Sequence, residues 1–169
     1  MNQQWGFTLF ELLCVMAIFS LLAHFGMSNI LFLNQQQQDQ QNLKAQVARL
    51  ASALTRAREL AVVSGHSSFV CGGMACSGEW SRGFRLYQTH NNTDYDVLNE
   101  VFIEALSLHW RGFPAQKKQI EYQANGLSGY QNGTFVFCLG KWQMDVVLNQ
   151  SGRFYLSHLK SRRSEGDCL

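Results

Sequence analysis

Proline is almost missing from this chain: the only one among 169 residues is Pro114. Charge is sparse as well, at 15% of residues, and the opening stretch Met1-Asn2-Gln3-Gln4-Trp5 holds no Lys or Arg. A secretory signal peptide needs positive charge before an apolar core of about 7 to 15 residues and a small-residue cut site after it, so that reading is excluded. There is no Gly-rich phosphate loop, no paired metal-ligand motif and no nucleophile elbow. His24, His66, His90, His109 and His158 are scattered along the chain. No enzyme activity, cofactor or metal is expected. With 14 Lys and Arg against 12 Asp and Glu, the net charge of +2 rules out a globally basic nucleic-acid binder and leaves room only for a local patch.

What the chain does have is a long apolar run, Phe7 to Leu33, with Glu11 as its single acidic residue. About 20 helical residues cover the roughly 30 Å of bilayer hydrocarbon, so residues 7–33 are expected to be a membrane-spanning or filament-core helix. A carboxylate inside such a helix costs roughly 2.5 to 3.5 kcal/mol. Glu11 therefore either snorkels to the interface or has a partner.

The helix is expected to continue. Asn34 to Asn42 is nearly all Gln without Gly or Pro, and reads as more helix or as a flexible linker. From there Leu43, Val47, Leu50, Leu54, Ala57 and Ala61 recur at spacings of four and three, an amphipathic stripe with Lys44, Arg49, Arg56, Arg58 and Glu59 on other faces. One helix from Phe7 to about Val63 is expected, partly unwound near Gly26 or the Gln run and stopped at Ser64-Gly65. Residues 34–63 form its amphipathic half. Beyond it the period shortens to two. Ser68 to Cys71, Gly83 to Tyr87, Val97 to Phe102, Leu106 to Trp110, Gln119 to Tyr122, Thr134 to Leu139, Met144 to Leu148 and Arg153 to Ser157 read as strands. The fold class expected is α+β: an antiparallel β domain over residues 64–169, packed on the Leu43 to Ala61 stripe. About 130 residues are enough to bury a core.

Two sets of residues resemble a known family. Gly6-Phe7-Thr8-Leu9-Phe10-Glu11 is similar to the processing motif of type IV prepilins and type II secretion pseudopilins. The resemblance implies a leader at residues 1–6, cleavage by a prepilin peptidase between Gly6 and Phe7, N-methylation of Phe7, and pairing of Glu11 with the Phe7 amine of a neighbouring subunit. Many major pilins carry a kinking Pro where this chain has Gly26 and Ser28. Further on, Arg56 to Gly65, Val70-Cys71, Cys76 to Phe84, Asn132 to Cys138 and Val147 to Arg153 resemble the GspH/FimT family of minor pilins and pseudopilins. That resemblance implies a pilin-like lollipop, an inner-membrane anchor with a periplasmic head, and later residence in an extracellular pilus or periplasmic pseudopilus beside other major and minor pilins.

In an oxidising periplasm the four head cysteines suggest disulfides, Cys71 with Cys76 and Cys138 with Cys168, while Cys14 suits a packing role in the helix. Zinc held by His66, Cys71 and Cys76 is the competing use. The C-terminal stretch offers Arg153, Lys160, Arg162 and Arg163 with His158 nearby and Phe154 and Tyr155 interleaved, a pattern that can neutralise phosphates and contact sugars or bases. FimT-type pilins are associated with binding DNA in natural transformation through Gly-Arg-x-Arg; here Gly152 and Arg153 match, and Tyr155 replaces the second Arg. Arg82 and Arg85 after Trp80 and Arg111 beside Trp110 are secondary basic candidates, and Lys117-Lys118 is expected to be a loop without special role. Two functions stay open: a minor pilin that binds double-stranded DNA through this patch, and a structural subunit that primes assembly and joins tip to shaft.

Overall fold

The computed structural model describes residues 8–91, 93–162 and 168, and the side chains of these except 23–32. The leader, Gly6, Phe7 and Arg163 lie outside the described residues. The chain divides into two units, residues 1–38 and 39–169.

Helix α1 runs unbroken over Leu9–Ser64. The unwinding expected near Gly26 or the Gln run is absent, because glutamine is a good helix former and the Gln run has no Gly or Pro to interrupt the hydrogen-bond ladder. The helix stops at Gly65, whose N–H reaches the Ala61 carbonyl at 3.1 Å and whose φ of 70° is the left-handed conformation that a helix C-terminus favours in glycine.

Among the described residues nine strands follow, in two antiparallel sheets. The first has the order β3-β2-β1-β5, from β1 (Ser68–Gly72), β2 (Gly83–His90), β3 (Thr93–Val101) and β5 (Gln119–Tyr122). The second has the order β4-β6-β7-β8, from β4 (Ser107–Phe113), β6 (Asn132–Leu139), β7 (Trp142–Leu148) and β8 (Phe154–Leu156), with β9 (Lys160–Ser161) also paired to β7. All eight expected strands are present. β3 begins four residues earlier than expected because Thr93 to Asp96 is exposed edge strand, where no apolar alternation is required.

The Leu43, Val47, Leu50, Leu54, Ala57 and Ala61 stripe is buried, together with Phe84, Leu86 and Ile120 of the first sheet and Phe135, Phe137, Val146 and Leu148 of the second. Each such Leu or Phe contributes about 1.5 to 3 kcal/mol through apolar burial. Two serines anchor the interior: the Ser68 hydroxyl donates to the Ala57 carbonyl, and Ser81 bridges the Leu108 N–H and C=O at 2.9 and 3.0 Å. Gln131 closes the β5 side by accepting from Glu121 N–H at 3.2 Å and donating to the Glu121 and Ser128 carbonyls.

Candidate functional site

At the head of α1, Thr8 and Glu11 make a capping pair. The Glu11 N–H donates to the Thr8 hydroxyl at 3.2 Å, and the Leu12 N–H reaches the Thr8 carbonyl at 3.2 Å. Thr8 thus satisfies one of the donors that a helix start leaves open, and Glu11 stands in the first turn, where the helix dipole favours negative charge. The Thr-x-x-Glu spacing carries this signal in the sequence itself. From Leu9 to Leu22 every side chain is exposed, including Leu9, Phe10, Met16, Phe19 and Leu22. Cys14 is exposed too, so its expected burial as a packing residue does not occur in the single chain, where nothing covers this face. Among the described residues no helix is long and apolar enough to cross a membrane. Of the span expected at 7–33, only 8–22 and Leu33 have described side chains.

The C-terminal cations are dispersed across the second sheet. Lys160 is held by Asp145 at 2.9 Å, with the Asp145 side chain mostly buried, so its charge is largely cancelled. Arg162 donates to the Gly140 carbonyl through its side chain and to the Lys141 carbonyl through its backbone N–H at 2.8 Å. Arg153 and Tyr155 are exposed. Cross-strand register places Arg111, Thr134, Val147 and Tyr155 in one row, Arg111 opposite Thr134, Thr134 opposite Val147 and Val147 opposite Tyr155. Lys160 sits opposite Gln143, four residues along β7 from Val147, or about 13 Å at strand rise. The expected cluster is therefore split: Arg153 and Tyr155 stand open on the β8 side, Arg111 stands open three strand spacings (about 14 Å) along the same row, and Lys160 and Arg162 are engaged by the fold.

Gly152 has a structural duty within the Gly-Arg pair. Its φ is 73°, and a Cβ there would lie 2.5 Å from the Gly126 carbonyl oxygen. It closes a turn in which its N–H reaches the Asn149 carbonyl at 3.0 Å and the Arg153 N–H reaches the Asn149 side chain at 3.1 Å.

The secondary basic residues separate in the same way. Arg82 pairs with Glu79 at 3.4 Å and Arg85 with Asp96 at 2.5 Å, while Arg85 also lies over the Tyr87 ring. Lys117 and Lys118, expected to be inert, line a cavity of about 250 Å³ with Trp80, His109 and Trp110. The Trp80 and Trp110 indole N–H groups donate to the Lys117 and Pro114 carbonyls at 2.8 Å, which fixes that loop.

Cys71 is bonded to Cys76 across its turn, with Cα atoms 5.0 Å apart, and Cys138 to Cys168 with Cα atoms 6.4 Å apart. Both thiols of the zinc reading are thus used up. Among the described residues no group of three or more His, Cys, Asp or Glu could hold a metal ion. Two buried phenols lie behind the surface. Burial pushes Tyr122 well above the usual phenol range, with Arg58 opposing it, and the Tyr122 hydroxyl has no hydrogen-bond partner among the described residues. Tyr87 is raised by burial first and by Asp94 second; its hydroxyl donates to Gln119 at 3.0 Å.

Comparison with known proteins agrees with this architecture. Residues 46–152 match the family described as type II transport protein GspH, and residues 1–27 match the prokaryotic N-terminal methylation motif. Two crystal forms of the type IV minor pilin FimU from Pseudomonas aeruginosa share the fold. One aligns at 15% identity over 68% of this chain and 92% of that chain, with a TM-score of 0.55. The other aligns at 17% identity over 73% and 91%, with a TM-score of 0.52. No curated protein matches the chain. With the GspH match covering more than half of its length and a long helix packed on antiparallel sheets, the chain belongs to the GspH family of minor pilin and pseudopilin subunits.

Proposed function

We propose that this protein is a structural minor subunit, without catalytic activity, that takes its place in a type IV pilus or type II secretion pseudopilus through protein contacts. The observation that carries this reading is the continuous apolar surface of Leu9 to Leu22, exposed on all sides with Glu11 in its first turn. A stretch of that kind must be covered by lipid or by other helices. The subunit waits in the inner membrane with residues 1–6 on the cytoplasmic side and its head in the periplasm. A prepilin peptidase cuts between Gly6 and Phe7, and the helix then enters a bundle of major and minor pilin helices. There Glu11 meets the Phe7 amine of its neighbour, which offsets the cost of a buried carboxylate and sets axial register.

The test is filament incorporation of Glu11→Ala. The variant is expected to be processed to a mature N-terminus at Phe7, by mass, yet to be at least about tenfold depleted in sheared filaments. Incorporation at the wild-type level would remove Glu11 from assembly, and Met1 retained in filaments would overturn the reading itself.

A second reading, binding of double-stranded DNA for uptake in natural transformation, is favoured by one observation: Arg153, Tyr155 and Arg111 are exposed and make no salt bridge among the described residues. Lys160 and Arg162 do not support it. Fluorescence anisotropy of labelled duplex at several salt concentrations tests it. If the surface binds, Arg153→Gln and Arg111→Gln each lower the salt slope by about one and weaken all sequences alike. No binding at low salt leaves the structural role alone.

A further inference from the structure

Just beyond the C-terminus of α1, His66 faces His90 at the end of β2, both exposed, with His90 Nδ1 3.0 Å from His66 Nε2. The rings meet edge to face, their centroids 4.5 Å apart. Behind them, His66 Nδ1 lies 2.7 Å from the Ser64 carbonyl oxygen. A carbonyl only accepts, so the proton is on Nδ1 and the Nε2 lone pair points at His90. A carbonyl behind a histidine is the support that fixes tautomer and ring direction in metal ligands. Ser64 is itself held, since its hydroxyl accepts from the Gln88 side chain at 2.8 Å.

We infer that His66 and His90 form a two-histidine site for a divalent transition metal, with copper(II) bound most tightly. The proton that His90 Nδ1 shares with His66 moves through solvent to His90 Nε2, the two exposed rings turn their lone pairs off the line that joins the nitrogens, and the metal sits at the apex they then share, water completing the coordination. No net proton is released from the neutral pair. Two nitrogens 3.0 Å apart, each about 2.0 to 2.1 Å from one metal, subtend about 95° there. That angle suits square-planar or octahedral copper(II) and nickel(II) better than tetrahedral zinc, and copper stands highest in intrinsic affinity. The zinc reading weighed from sequence joined His66 to Cys71 and Cys76, and those two thiols are bonded to each other.

The experiment is a titration of the full chain in detergent micelles, without a polyhistidine tag, with copper(II), nickel(II) and zinc(II), followed by paramagnetic resonance of the copper form. The expected result is one copper per chain with two nitrogen couplings. His66→Ala and His90→Ala are each expected to weaken binding at least about tenfold, with His109→Ala and His158→Ala unchanged. Near-ultraviolet dichroism confirms that the exposed substitutions leave the head folded. Absence of copper binding, undiminished binding in the doubly substituted chain, or zinc held more tightly than copper would overturn the assignment.

Discussion

One helix carries two kinds of apolar surface. Leu9 and Leu13 are 78% and 60% exposed, whereas Leu43, Leu50 and Leu54 on the same helix are 0% exposed. The first set surrounds the helix on every side, and the second keeps to one stripe at spacings of four and three. An all-round apolar helix finds its cover in other molecules, and a striped one finds it in its own chain. The Gln-rich segment between them is neutral apart from Asp39 and fully helical, so the change of surface needs no break in the backbone.

The largest effect that would test this contrast comes from paired truncations. Leu54→Ala is expected to destabilise the head by about 3 to 4 kcal/mol, read by denaturant unfolding, since it opens a cavity in a closed core. Leu13→Ala in the unassembled protein should leave that transition unmoved and lower filament incorporation instead. Equal unfolding effects at the two positions would break the distinction.

A comparable loss is expected on removing the tail staple. Cys138→Ser with Cys168→Ser opens a 30-residue separation and should cost roughly 3.5 kcal/mol in the chain-entropy description, against about 2 kcal/mol for the 5-residue separation of Cys71 and Cys76. Unfolding midpoints of the two double variants measure the difference, and Cys14→Ser serves as the control without effect.

The smallest effect sharpens the picture of the closed core. Tyr122 is favoured in its neutral form by burial, so its folded pKa lies above its unfolded value near 10. Its contribution is complete below about pH 10 and is lost as pH rises beyond, because only the unfolded chain then ionises readily. Tyr122→Phe should flatten that alkaline decline and, by removing a hydroxyl without a partner, change stability at neutral pH by no more than about 1 kcal/mol. Thermal melts across pH 7 to 11 on both proteins would show it.

Periodicity located the second half of α1 and the eight longer strands, because each has a face that must be buried and a face that need not be; the first half of α1 was legible from the length of its apolar run. β9 escaped it: two exposed residues, Lys160 and Ser161, pair with β7 through backbone atoms, and no apolar pattern announces that. The basic tail misled for a related reason. Its charges look available in sequence, but Asp145, fifteen residues upstream of Lys160, is brought within reach of its ammonium only by the pairing of β9 with β7. Tyr155 and Arg111, by contrast, are 44 positions apart and fall in one row through β6 and β7. Sequence can show which side chains are cationic; which of them remain unspent depends on long-range pairing.

Both disulfides join residues that follow α1, at 71–76 and 138–168, and neither reaches the helix. Tension along a filament of such subunits would therefore enter the head through the helix without crossing a covalent staple. What resists shear there is the interdigitation of Leu43 through Ala61 with the two sheets, helped by the Ser68 hydroxyl on the Ala57 carbonyl and the Arg49 to Glu100 ion pair. The weakest link under load is a packed interface, which can slip and re-form, and the bonds that cannot re-form so easily are kept off the load path.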